Sequence, residues 1–183
     1  ASVAFLERLG VQAYKVASCD ATNPLLLAAV AATGKPFLVS TGMTREMDVF
    51  EIAYFLKKIA PGRYGLLHAV SGYPAAFADC QLHMILRYKV AFQVPVGWSG
   101  HERGVSVSVG AVAAGADVRE RHLTLDRTAI GPDHAASLEP EGMKKLVQRV
   151  RAFESAYGDP FMAGKLLTRG ETANQEALGK SLV

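Results

Sequence analysis

The sequence predicts an α/β fold built on parallel strands, and three observations carry that prediction. Short apolar runs alternate with longer segments of helical period along most of the chain. The runs are continuously apolar rather than alternating, as in strands buried on both faces. Each run also ends in polar, chemistry-bearing residues, where parallel α/β folds bind their ligands.

Taken in order, "ASVAFLERLGV" opens the chain with helical spacing closed by Gly10, reading as the end of a helix behind a cut N-terminus. The strands follow at 13–18 ("AYKVAS"), 36–40 ("PFLVS"), 64–70 ("YGLLHAV"), 94–99 ("VPVGWS") and 116–125 ("ADVRERHLTL"). Between them, "PLLLAAVAATG", "EMDVFEIAYFLKKI", "CQLHMILRYKV" and "GVSVSVGAVAAG" read as helices, although the valines and serines of the last also suit a strand. A further helix covers 139–157, and the stretch from 158 onward reads as an irregular tail. Parallel strands joined by right-handed crossovers account for this rhythm. Pattern alone leaves a doubly wound sheet and part of a (β/α)8 barrel both open.

Composition narrows the function. The chain has 183 residues, half of them hydrophobic, enough for one domain with a sizeable core. A net charge of +3 from 20 basic and 17 acidic residues is too small and scattered for a nucleic-acid surface. No uninterrupted apolar stretch has the length of a membrane span. Cys19 and Cys80 lie far apart and suit free thiols in a reducing, cytoplasmic compartment.

The strand ends hold the candidate chemistry. They supply Lys15, Ser18 and Asp20; Ser40 and Thr41; His68, Ser71 and Tyr73; Ser99 and His101; and Glu120 and His122, followed by Asp133 and His134. A lysine with several hydroxyls and backbone amides suits a phosphate. Two histidines on neighbouring strand ends suit a divalent metal such as manganese, iron or zinc, with oxygen ligands completing the shell. Taken singly, the serines are ordinary helix caps, His83 a surface residue, and Glu120 with Arg121 an ordinary ion pair. Their concentration at successive strand ends is what such readings leave unexplained.

The strings "YKVAS", "PFLVSTGM", "SGYP", "GWSGHE", "ERHLTLD", "GPDHAASLEP" and "ANQEALGKSLV" resemble, in order, the N-acetylneuraminate (sialic acid) synthase family, with its relatives making legionaminic and pseudaminic acids. One segment departs: "HAVSGYP" stands where the family commonly carries cysteine, threonine and asparagine or serine. The resemblance implies a (β/α)8 TIM-type barrel, here a partial barrel of strands 4 to 8. Residues 1–157 would form the partial catalytic barrel, and 158–183 a tail leading toward an antifreeze-like C-terminal domain.

The same resemblance implies condensation of phosphoenolpyruvate with an N-acetylated hexose, N-acetylmannosamine or a relative, in the presence of Mn2+ or Mg2+. His101 and His122 would be the metal ligands. Lys15, Ser18, Ser40, Ser71, Tyr73 and Ser99 would bind substrate, and Glu120, Asp133 and Asp20 would be the catalytic acids. Expected partners are these small molecules and, at full length, a second copy of the chain, with no nucleic acid and no membrane. A sibling phosphoenolpyruvate-dependent synthase acting on a sugar phosphate, or a non-catalytic barrel fragment that only binds a metal or a partner subunit, are the alternatives, and as an enzyme the fragment by itself is expected to be inactive.

Overall fold

The computed structural model describes residues 1–159 and 164–180. Its five strands, β1 (Tyr14–Val16), β2 (Phe37–Ser40), β3 (Tyr64–Ala69), β4 (Val96–Gly100) and β5 (Arg119–Arg121), pair in sequence order. Every pairing is parallel. The helices are α1 (Ser2–Arg8), α2 (Pro24–Ala31), α3 (Glu46–Ile59), α4 (His83–Phe92), α5 (Ser106–Ala113), α6 (Pro140–Tyr157) and α7 (Arg169–Leu178).

The sheet is curled into a half-barrel, and one contact demonstrates it. In a flat sheet β1 and β5 would stand about 19 Å apart, at about 4.8 Å per strand. Yet Lys15 Nζ on β1 lies 2.9 Å from Glu120 Oε2 on β5. The curl decides between the two architectures that the pattern left open.

Register separates the two faces, because residues paired across a parallel ladder share a side. Tyr14, Phe37 and Tyr64 align on the helix side, as do Val16, Val39, Leu66 and Val96. All of these belong to the main core, packed with Leu27 and Val30 of α2, Val49 and Leu56 of α3, and Ile85 of α4. Each large apolar side chain buried there contributes about 1.5–3 kcal/mol. The concave side carries Lys15 in register with Leu38, Ser40 in register with Leu67 and, nearer the carboxyl ends, Ala69 with Ser99 and Glu120. Glycines make room for the leucines: a Cβ on Gly97 would lie 2.6 Å from Leu67 Cδ2, and one on Gly65 would lie 3.0 Å from Leu38 Cδ2.

Helix starts follow local chemistry. Asn23 Oδ1 accepts from Leu26 N at 3.1 Å ahead of Pro24, an N-cap followed by the proline that suits a first helical turn. Asp48 Oδ2 accepts from Arg45 N at 2.9 Å at the start of α3. The ambiguous segment after β4 is helical, as α5.

Two sequence expectations need correction. The fifth strand is shorter than 116–125, because beyond Arg121 the chain leaves β4 and bridges Leu123 to Leu138 instead. The stretch from 158 is not irregular throughout: it contains α7, opened by a capping box in which Thr168 Oγ1 accepts from Glu171 N and Glu171 Oε2 accepts from Thr168 N. No helix among the described residues is long and apolar enough to cross a membrane.

Candidate functional site

The carboxyl ends of the five strands open into one cavity of about 290 Å³. Lys15, Ser18, Ser40, Ser71, Tyr73 and Ser99 line it, together with Glu120, His101 and His122. The structure therefore gathers the whole predicted substrate-binding set, both predicted metal ligands and one of the three predicted acids. Asp20 and Asp133 stand outside the lining. Asp20 closes the short turn Ser18–Asp20, its Oδ2 4.0 Å from Cys19 Sγ. Asp133 is exposed, with Oδ2 3.8 Å from His122 Nδ1.

One side of the cavity is a set of hydroxyls around Gly42. Ser18 Oγ accepts from the Gly42 amide at 3.0 Å, joining the loops after β1 and β2. Ser40 Oγ and Ser71 Oγ are buried without a hydrogen-bond partner among the described residues. A Cβ on Gly42 would sit 2.3 Å from Ser71 Oγ and 2.9 Å from Ser18 Oγ, so with glycine here these hydroxyls keep their positions around the amide. Buried hydroxyls lacking partners are costly unless something completes them. The Lys15 ammonium stands on the same cavity, held by Glu120, and Ser99 Oγ donates to Glu120 Oε1 at 3.2 Å. These serines are not helix caps, the alternative reading of their sequence positions.

The other side holds the imidazoles. The His101 and His122 rings lie 5.1 Å apart, centroid to centroid, at 75°. Tyr73 packs against both, at 4.3 Å from His101 and 5.8 Å from His122. His101 Nδ1 lies 2.7 Å from the Val70 carbonyl oxygen. A carbonyl only accepts, so Nδ1 carries the proton and Nε2 keeps its lone pair. Burial lowers the His101 pKa below its usual 6.5, outweighing the Val70 hydrogen bond, and nearby His122 lowers it further. Burial, seconded by Asp133 and Glu120, raises that of Tyr73.

Other chemistry-bearing residues have structural partners. His68 lies on the helix side of β3, with Nε2 3.0 Å from Cys80 O. His134 Nδ1 is 2.7 Å from Thr124 Oγ1, and Thr41 Oγ1 donates to Leu67 O. His83 is exposed, as expected. Arg121 pairs with Glu102 rather than with Glu120. Sequence reasoning did not single out Cys19 and Met43, which also line the cavity. Adjacency was the available signal, since Cys19 follows Ser18 and Met43 follows Gly42.

A parallel half-barrel with hydroxyls, a lysine and two imidazoles at its carboxyl-end rim describes part of a barrel with a ligand site at that rim, and comparison with known proteins agrees with this fold. The chain belongs to the NeuB family, whose profile matches residues 1–161. It is 43% identical to human N-acetylneuraminate-9-phosphate synthase over 183 residues, all of this chain and 50% of that protein. It is 39% identical to the N,N'-diacetyllegionaminic acid synthase of Campylobacter jejuni, over all of this chain and 54% of that protein. The crystal structure of N-acetylneuraminic acid (sialic acid) synthetase from Leptospira borgpetersenii, in complex with citrate, superposes with a TM-score of 0.85 at 32% identity, covering 98% of this chain and 62% of that one. The chain spans about half the length of the two curated relatives.

Proposed function

We propose that this chain is the substrate- and metal-binding half of a (β/α)8 synthase, its five strands corresponding to the fourth through eighth of the barrel. The reaction is condensation of phosphoenolpyruvate with an N-acetylated hexose to give a nine-carbon 2-keto acid and phosphate. A single observation carries the reading: Lys15, the hydroxyls of Ser18, Ser40 and Ser71, and the imidazoles of His101 and His122 all line one cavity at the strand ends.

The residues suit each part of that chemistry. Ser40 and Ser71 offer hydroxyls that no other described residue satisfies, and Lys15 adds a positive charge, the donor set an ester phosphate needs. His101 and His122 would hold a divalent cation through neutral nitrogens. Among the described residues no three His, Cys, Asp or Glu side chains form a metal site, so oxygens of substrate, of water or of residues outside this chain would complete the shell. When bound, the cation supplies positive charge that polarises the aldehyde carbonyl.

Carbon 3 of phosphoenolpyruvate forms the new bond to the aldehyde carbon, leaving a cation at carbon 2. Glu120, fixed between Lys15 and Ser99, offers that cation a carboxylate from the same cavity. Water adds to carbon 2 as one of its protons passes to the former aldehyde oxygen; the tetrahedral intermediate then collapses to the keto group, and phosphate departs with its bridging oxygen and the remaining proton. Asp133, whose Oδ2 stands 3.8 Å from His122 Nδ1, is a further carboxylate at the edge of the site.

The direct test joins this chain to the barrel half its relatives carry and follows phosphate release with Mn2+, phosphoenolpyruvate and N-acetylmannosamine, its 6-phosphate, or a diacetylated hexose. Release with one of them, together with a nine-carbon keto acid, is the expected result. The reading is wrong if no N-acetylated hexose supports metal-dependent release.

A further inference from the structure

Glu102 directly follows His101, and Arg121 stands between Glu120 and His122, yet neither faces the cavity. They face each other. Arg121 Nη1 lies 2.8 Å from Glu102 Oε1, with side chains 1% and 0% exposed. Alternation along β5 sends the Arg121 side chain to the face opposite its two neighbours.

The pair ties together the loop after His101, α5 and the turn after Asp133. Glu102 Oε1 accepts from Ser108 N at 3.1 Å and Ser108 Oγ at 2.6 Å, tying the residue after His101 to α5. Arg121 Nη1 donates to Gly104 O at 2.7 Å and Nη2 to Glu102 O at 2.7 Å. Nη2 also reaches Ala136 O at 3.4 Å, in the turn that follows Asp133. Gly100, between Ser99 and His101, is part of the fit: a Cβ there would lie 2.5 Å from Glu102 Oε2 and 3.0 Å from Arg121 Cδ.

Stability is a poor explanation for such a pair. Removing two charges from water costs several kcal/mol per ion, and well-packed apolar residues often stabilise as well or better. What apolar residues lack is the planar fork of guanidinium donors, which fixes several acceptors at set angles. We infer that Glu102 and Arg121 are positioning residues whose ion pair fixes the His101 ring relative to the His122 ring and so sets the site's affinity for a divalent cation. This inference rests on the two-imidazole reading given above.

The test measures Mn2+ binding directly, by the electron paramagnetic resonance signal of free and bound Mn2+, in the protein carrying this chain at its relatives' length. Arg121→Lys keeps the charge but loses the fork, and Glu102→Gln keeps the shape but loses the charge. Each is expected to weaken Mn2+ binding by roughly 10–100-fold, the usual effect of losing support behind a metal ligand. The doubly apolar Glu102→Met, Arg121→Met protein should unfold at about the wild-type temperature yet bind Mn2+ as weakly as the single variants. Ser108→Ala removes one hydrogen bond to Glu102 and should give a smaller loss even if the charge variants fail to fold. Unchanged affinity in Arg121→Lys or Ser108→Ala, with affinity lost in His101→Ala and His122→Ala, overturns the positioning role and leaves the two-imidazole site standing. Wild-type affinity in both histidine variants overturns that site and this inference with it.

Discussion

Lys15 and Glu120 stand on the first and last strands of the sheet, and their side chains meet at 2.9 Å across the cavity. The lysine most suited to a phosphate therefore already has a carboxylate partner, which an entering dianion has to compete with. Ser99 bonds the same carboxylate from β4, the neighbour of β5. Glu120 thus has neighbours able to hold it in place whichever anion Lys15 contacts.

Lys15→Met and Glu120→Gln should fall into different kinetic classes. A lysine holding phosphate equally in ground and transition states contributes uniform binding, so its loss should raise KM for phosphoenolpyruvate by about 10–100-fold with little change in kcat. Glu120→Gln keeps the shape and removes the charge, so kcat should fall by about 100-fold. KM for phosphoenolpyruvate should not rise in that variant, because Lys15 loses its competing partner. Steady-state kinetics with both substrates varied checks this, and a kcat effect for Lys15→Met matching that of Glu120→Gln would refute the division.

Gly42→Ala probes the hydroxyl cradle. The added methyl would stand 2.3 Å from Ser71 Oγ, which has to swing aside. Folding should survive, since the crowded atoms are rotatable hydroxyls. KM for phosphoenolpyruvate should rise by roughly fivefold, the loss of about one neutral hydrogen bond. A variant binding phosphoenolpyruvate as the wild type does would mean that the phosphate sits elsewhere.

His101→Ala and His122→Ala should each abolish metal-dependent turnover while leaving the thermal unfolding midpoint within a few degrees. His101 keeps a lone pair on Nε2, and burial favours its neutral form. Adding Mn2+ or Mg2+ should not restore either variant. Full activity in either, without added metal, would remove that residue from the site.

His68 predicts a pH dependence of stability. Burial lowers its pKa below the usual 6.5, so on acidification the unfolded chain takes up the proton first. Its contribution is complete above about pH 6.5 and is lost as pH falls toward the lowered folded-state value. The slope from this one group is at most about 1.4 kcal/mol per pH unit. Urea unfolding at pH 7.5 and 5.5 should show a smaller loss in His68→Gln than in the wild type; equal losses would refute the assignment.

The sequence by itself determined where the strands lie, their parallel character and most of the cavity. Runs such as 36–40 and 94–99 fall within two residues of Phe37–Ser40 and Val96–Gly100, because strands buried on both faces must be continuously apolar. Polar residues at the ends of such strands have few places to be except one rim, so Lys15, Ser40, Ser99 and His101 were legible from their positions alone. The α7 start was legible too, since Thr168 and Glu171 have capping-box spacing, and the surrounding glycines obscured it. Tertiary structure alone decided the partners. The curl that brings Lys15 to Glu120 depends on the twist and stagger of the whole sheet, which no local run encodes. The same holds for Arg121, which sits beside Glu120 in sequence but pairs with Glu102: strand alternation turns neighbours to opposite faces, and only packing of α5 against β4 and β5 determines which charge waits there.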